Sequence, residues 1–196
     1  MTDNEVLKYE VPWDLEKDEF QGFVRDMIKT CVDHGKVISL PIELVQGEYF
    51  LDQMAMLLSQ VDCKDCHKCC ISEKGGVIDL QKAEYELFCQ KYGKQHFVTD
   101  GKLFSIPYPC PFLQKDKCSI YGDRPFACVL YPFQPGGYGG EHGEIYVIAV
   151  ASSCPEGRRI ARGTYMTSWR LRKQFNRAAG KKLGSVKHES ESNNPL

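Results

Sequence analysis

No stretch of this chain approaches the roughly 18 consecutive apolar residues from which a membrane-crossing helix is read. Its first ten residues hold Asp3, Glu5, Lys8 and Glu10 where an export leader would carry a basic and then an apolar run. A cytoplasmic chain without a membrane partner is the expectation. Internal repeats are absent, and so is any legible Ser-His-Asp arrangement for nucleophilic catalysis. Histidine is sparse: His34, His67, His96, His142 and His188 are scattered, with no pair at the helical spacing that presents two imidazoles to one metal. The glycines at 136, 137, 139, 140 and 143 lack the ordered spacing and following helix of a nucleotide loop, so they predict a flexible loop and no phosphate cradle. Acidic residues are missing from one region altogether. Between Arg158 and Lys187 stand ten Lys and Arg and no Asp or Glu, a pattern that suits a nucleic-acid or acidic-partner surface, or a solvated helix face docked on an acidic body. The second is favoured, because the segment holds no recognised nucleic-acid motif.

Cysteine is what the chain has in quantity, ten among 196 residues. Cys63, Cys66, Cys69 and Cys70 form a knot spaced C-x2-C-x2-C-C, and Cys110, Cys118, Cys128 and Cys154 follow it. In a reducing compartment, close-set cysteines indicate metal rather than disulfides. C-x2-C spacing lets two thiolates converge on one centre while backbone amides turn toward the sulfurs. The rhythm of Cys63, Cys66 and Cys69 is that of iron–sulfur ferredoxins, and the Cys110-Pro111 and Cys154-Pro155 dipeptides are like the C-P ending of those motifs. The cofactor expected is therefore an iron–sulfur cluster of the 4Fe-4S type, or zinc. Cys70 directly follows Cys69, and neighbouring side chains point in different directions, so one of the pair suits a second centre. Eight thiolates match two four-cysteine sites, or one such site with a weaker partner; spacing does not say which cysteines share one. Lys64, Lys68, Lys74 and Arg124 stand near cysteines in sequence and are candidates to offset the negative charge.

Helical periodicity places a helix over Asp14 to His34, stopped at Gly35, and another over Glu48 to Val61. A third is expected from Leu80 to Tyr92, capped by Asp79 and ended by Gly93 after the break at Gly75-Gly76. His96 to Thr99 and Lys102 to Ile106 flank Asp100-Gly101, a two-residue hairpin signal. A shorter turn falls at Gln114 to Lys117, a buried strand at Glu144 to Ala151, and a long helix from Glu156 to about Lys182. Cys31 and Cys89 lie within helices and read as small buried hydrophobes. The fold class is α+β, a single small domain with helices at both ends of a loop-rich, metal-stapled centre. Its segments are 1–60, 61–155, 156–183 and a polar tail over 184–196.

The order of motifs carries a resemblance. Cys63-x2-Cys66-x2-Cys69-Cys70, Cys110-Pro111-Phe112-Leu113, Cys118-Ser119-Ile120-Tyr121, Arg124-Pro125-x2-Cys128 and Tyr131-Pro132-Phe133 together resemble the CxxCxxCC zinc- or iron-chelating family, the YkgJ-type cysteine-cluster proteins. The resemblance implies a metal-chelating domain, with those eight cysteines as ligands and Cys31 and Cys89 outside. A related motif occurs in flagellin lysine methylase, which is similar to this chain through the cysteine cluster alone. Three functions follow as expectations: a metal-binding protein presenting a surface to a protein partner, an iron–sulfur-dependent redox or protein-modifying enzyme, and a nucleic-acid binder acting through the basic helix.

Overall fold

The computed structural model describes residues 10–41, 47–63, 66–71, 77–140 and 143–183, with side chains omitted at 47–51, 77, 135–140, 143–147 and 180–183. The Gly75-Gly76 break and the 184–196 tail therefore lie outside the described residues. Helix α1, Lys17–Asp33, buries Phe20, Val24, Met27, Ile28 and Cys31 along one face, and its start is closed by Glu19, whose carboxylate accepts the Glu16 N–H at 3.4 Å. Its end is a complete left-handed closure. Gly35 sits at φ +63°, its N–H donates to Val32, and that of Lys36 donates to Cys31 at 2.8 Å, the paired bonds by which a C-terminal glycine satisfies orphan carbonyls. Strand β1, Val37–Ser39, follows, and helix α2, Gly47–Leu58, delivers the chain to the cysteine knot.

Beyond the knot come β2 (Val77–Leu80), α3 (Lys82–Tyr92), β3 (Val98–Asp100), β4 (Leu103–Pro107), the short pair β5 (Leu113–Gln114) and β6 (Lys117–Cys118), and α4 (Phe126–Leu130). The chain ends with β7 (Phe133–Gly140), β8 (Gly143–Ala151) and α5 (Pro155–Leu183). Three antiparallel sheets result, ordered β1-β8-β7, β2-β4-β3 and β5-β6, and the fold is α+β. No helix among the described residues is long and apolar enough to cross a membrane.

Two expectations need correction. Asp79 caps no helix; it lies in β2 opposite Ser105, because Ile78 and Leu80 pair with Ile106 and Phe104 of β4 and their burial outweighs the local capping signal. Helix α3 begins later, after Gln81 in extended conformation. The glycine run is also no loop. Phe133 through Gly140 pair with Val150 through Gly143 in unbroken register, so a long ladder of backbone bonds overrides the conformational freedom that makes glycine a poor strand former.

Two hydrophobic clusters organise the molecule. The first gathers α1, β1, α2, β8 and α5 around Phe20, Ile38, Leu57, Ile148 and Ile160. There α5 is tied to the N-terminal region by Tyr165 Oη donating to the Ser39 carbonyl at 2.7 Å and Trp169 Nε1 donating to Leu15 at 3.0 Å. Segments at opposite ends of the sequence thus share one core. The second cluster joins α3 to the β2-β4-β3 sheet through Ile78, Tyr85, Phe88, Phe97, Ile106, Phe112 and Ile120.

A thiol-lined cavity at the candidate metal centre

Against the second cluster, walled in part by Ile78, Ile106, Phe112 and Ile120, lies a cavity of about 440 Å³, and Cys63, Cys66, Cys69, Cys70, Cys110, Cys118, Cys128 and Cys154 all line it. Cys31 is instead buried in the first cluster, and Cys89 packs against the second.

Each cysteine is held by a distinct local device. The knot closes on itself, with Cys66 N–H donating to Cys63 and Cys70 N–H to His67, and Lys68–Cys70 form a single 3-10 turn. Cys118 is placed by the β5-β6 hairpin, whose turn residues Lys115 and Asp116 take positive φ. Its rim is pinned where Ser119 N–H donates to Phe112 at 2.8 Å. Cys128 rides on α4, which α3 braces from outside: Glu84 Oε1 accepts the Phe126 N–H at 2.6 Å, and Asp123 Oδ2 accepts from Lys91 Nζ at 2.6 Å and Tyr92 Oη at 2.8 Å. Cys154 stands directly before Pro155, the first residue of α5, and its Sγ accepts the Gly157 N–H at 3.4 Å. A proline at the first helical position and an acceptor just before it suit a helix N-terminus.

Gly157 is a residue the sequence did not flag. A Cβ there would lie 2.5 Å from Val150 Cγ1 and 3.2 Å from the Ala151 carbonyl, and Val150 is wholly buried. Gly157→Ala should push the first turn of α5 away from β8, costing ~1–3 kcal/mol for forced overpacking. A thermal melt should show Tm lowered by several degrees, and an unchanged Tm would mean that the helix shifts freely.

The electrostatics of the thiols follow from burial and from one hydrogen-bonded trio. Cys70 bonds to both Cys69 and Cys110, which lowers Cys110 to about 6 and Cys69 to about 7, while Cys70 itself is pushed far up. One thiol has one hydrogen to donate, so the trio shares it and holds its thiolate character at Cys110 and Cys69. Burial raises Cys63, Cys118 and Cys154, and pushes Cys128 up to about 12. Arg124 works against that trend, since its charge lowers Cys63, Cys69, Cys118 and Cys128. It also braces its own loop, donating from Nε to the Tyr121 carbonyl at 3.2 Å with the guanidinium 4.0 Å from the Tyr121 ring centre. Of the other candidate counter-charges, Lys68 is exposed, and Lys64 and Lys74 lie outside the described residues.

A pH consequence follows for the reduced, metal-free chain. The pKa values of Cys110 and Cys69 are depressed on folding, so the stability they contribute is present above the ordinary thiol range and lost as pH falls through about 7 and then about 6. Alkylation by iodoacetamide, which reads the thiolate, should therefore label Cys110 first at pH 7 and leave Cys128 slowest. Equal rates at the two positions would refute the trio.

His67, inside the knot between Cys66 and Cys69, also faces the open space. It lines the cavity at φ +27°, its Nε2 is 3.7 Å from Asp116 Oδ1, and its Nδ1 is buried without a hydrogen-bond partner. The signal available was its place inside the knot; Asp116 offered none. Tyr108 and Tyr131 also reach the cavity wall, with Tyr131 raised to about 12 by burial.

The donor set fits a thiophilic metal, because thiolates and an imidazole select zinc or iron–sulfur centres over hard cations. Among the described residues, however, no three Cys, His, Asp or Glu side chains converge as a ready-made ion site. The arrangement is a shell of sulfur around open space. Residues 62–155 match the model of the CxxCxxCC family, described as a putative zinc- or iron-chelating domain. No curated protein and no solved structure matches the chain.

Proposed function

We propose, for a chain whose residues 62–155 match a CxxCxxCC zinc- or iron-chelating domain, that the chelated species is iron–sulfur, held through up to eight cavity cysteines. The observation that supports this reading is the size of the thiol-lined space. A zinc bound by four thiolates draws them to about 2.3 Å from the ion, and one water in the liquid occupies about 30 Å³. A cavity of about 440 Å³ with unconverged thiols suits an inorganic core of several atoms better than a bare ion. Amide donors and the Arg124 charge would stabilise the thiolates around such a core.

The basic helix is not part of this proposal. Among the described residues, four of its cations have partners inside the chain: Arg158 donates to Ser152, Arg159 to Gln60 and Glu156, Lys173 to Asp14 and Glu16, and Arg172 stacks on Trp13. That usage favours the docked-helix reading over a nucleic-acid surface.

Protein purified without oxygen should be brown, absorb in the visible and contain iron with acid-labile sulfide. Colourless protein carrying stoichiometric zinc would overturn the iron–sulfur assignment while leaving chelation intact.

A further inference from the structure

We infer that the eight cysteines form two separate four-thiol sets, Cys63, Cys66, Cys69 and Cys154 in one and Cys70, Cys110, Cys118 and Cys128 in the other, each holding its own centre. The inference rests on the chelating role proposed above and adds the division that sequence spacing leaves open.

The first set is assembled where the entrance to the knot is bound to the start of α5. Arg159 Nη2 donates to the Gln60 carbonyl at 2.7 Å, and the Asp62 N–H approaches Glu156 Oε2 at 3.5 Å. These two contacts bracket Cys63 on one strand of chain and Cys154 on the other. Cys66 joins them through its N–H, which donates to the Cys63 carbonyl at 3.4 Å. The charges that act on Cys63 are accordingly those of Cys69, Cys154 and Cys66.

The second set belongs to the other core. Cys110 N–H donates to the Cys70 carbonyl at 2.9 Å, so a backbone bond holds Cys70 against Cys110. Leu113, whose N–H donates to the Cys110 carbonyl at 3.1 Å, faces Cys118 across the β5-β6 ladder. Cys110, Cys118 and Cys128 all pack against the second hydrophobic cluster, and the thiols acting on Cys128 are Cys110, Cys69 and Cys118.

Cys69 lies on the seam, its charge felt by Cys63 on one side and by Cys118 and Cys128 on the other. Its assignment follows from the turn that carries it. A 3-10 turn rotates about 120° per residue, so Cys69 and Cys70 leave Lys68–Cys70 in different directions. Cys70 is committed to Cys110, which leaves Cys69 to complete the first set. The doubled cysteine of the knot is thus the partition between centres that lie back to back.

Metal and sulfide analysis on anaerobically purified variants tests this. Cys63→Ser and Cys128→Ser should each lose half of the bound metal. Cys63→Ser with Cys154→Ser should lose no more than either alone, whereas Cys63→Ser with Cys128→Ser should lose nearly all. A single substitution that empties the protein, or a pair within one set whose losses add, overturns the partition while the chelating role stands. Wild-type protein that takes up neither iron nor zinc on reconstitution overturns both. Because serine variants can misfold, the wild-type chain supplies a second reading. During slow extraction by a chelator, thiol labelling followed by mass spectrometry should show each set of four becoming reactive together, in two kinetic phases. Eight thiols released in one phase would overturn the division.

Discussion

Removing the metal from the loaded protein is expected to release the segments around the cavity while sparing the helical core. One structural zinc site supplies ~10–16 kcal/mol of apparent binding free energy, against ~5–15 kcal/mol for the net stability of a whole domain. Iron–sulfur ligation through as many thiolates should act in the same sense. The parts that depend on it are legible from packing. Among the described residues from Cys63 to Ile71 there is only the 3-10 turn Lys68–Cys70, and the stretch from Tyr108 to Tyr131 has one two-stranded ladder, a 3-10 turn at Tyr121–Asp123 and the five-residue α4. By contrast α1, β8 and α5 share a core whose Phe20, Ile148 and Ile160 are essentially fully buried. Hydrogen exchange after chelation should show the amides of 66–71 and 110–131 losing protection by orders of magnitude, with those of α1 and α5 little changed. Uniform retention of protection would mean that the cysteines contribute nothing to the fold.

The second large effect lies at the opposite pole of the molecule. Phe20→Ala should cost ~3–5 kcal/mol, the usual range for emptying a fully buried aromatic site. Phe20 is completely inaccessible. Its ring stacks on Trp13 at 5.5 Å and on Trp169 at 6.0 Å, so the void would open between α1 and α5, where neither neighbour can collapse without breaking the Trp169 to Leu15 bond. For a chain of this size ~2–4 °C is lost per kcal/mol, and Tm should drop by roughly 6–20 °C on that basis. Metal content per folded chain should hold, because the eight thiols stand on other elements. Loss of metal in proportion to loss of Tm would show that the two cores fold as one unit.

The readable parts of this chain are those whose cause is local. Helix α1 was legible because Phe20, Val24, Met27 and Ile28 repeat at helical spacing and Gly35 offers the left-handed closure. The β3-β4 hairpin was legible from the Asp100-Gly101 signal, but its turn falls one residue later, at Gly101-Lys102, with Gly101 at φ +60° and Asp100 paired with Leu103 in the ladder. The cysteine motifs, too, announce a metal by composition and spacing alone. Where local signals misled, a partner distant in sequence had prevailed. Asp79 carries a capping side chain, yet β4 claims it as strand; the glycines of β7 look like a loop, yet β8 supplies a full ladder.

Sequence by itself therefore determined the donor chemistry, thiols in ordered motifs, because ligand type is a property of the side chain. Only tertiary structure decided that all eight of these thiols line one cavity, since the docking of α5 carries Cys154 there and a backbone bond holds the Cys110 loop to Cys70. It also set His67 and Arg124 on the same cavity wall. Proximity of this kind arises from the docking of segments distant in sequence, and no spacing along one chain encodes it.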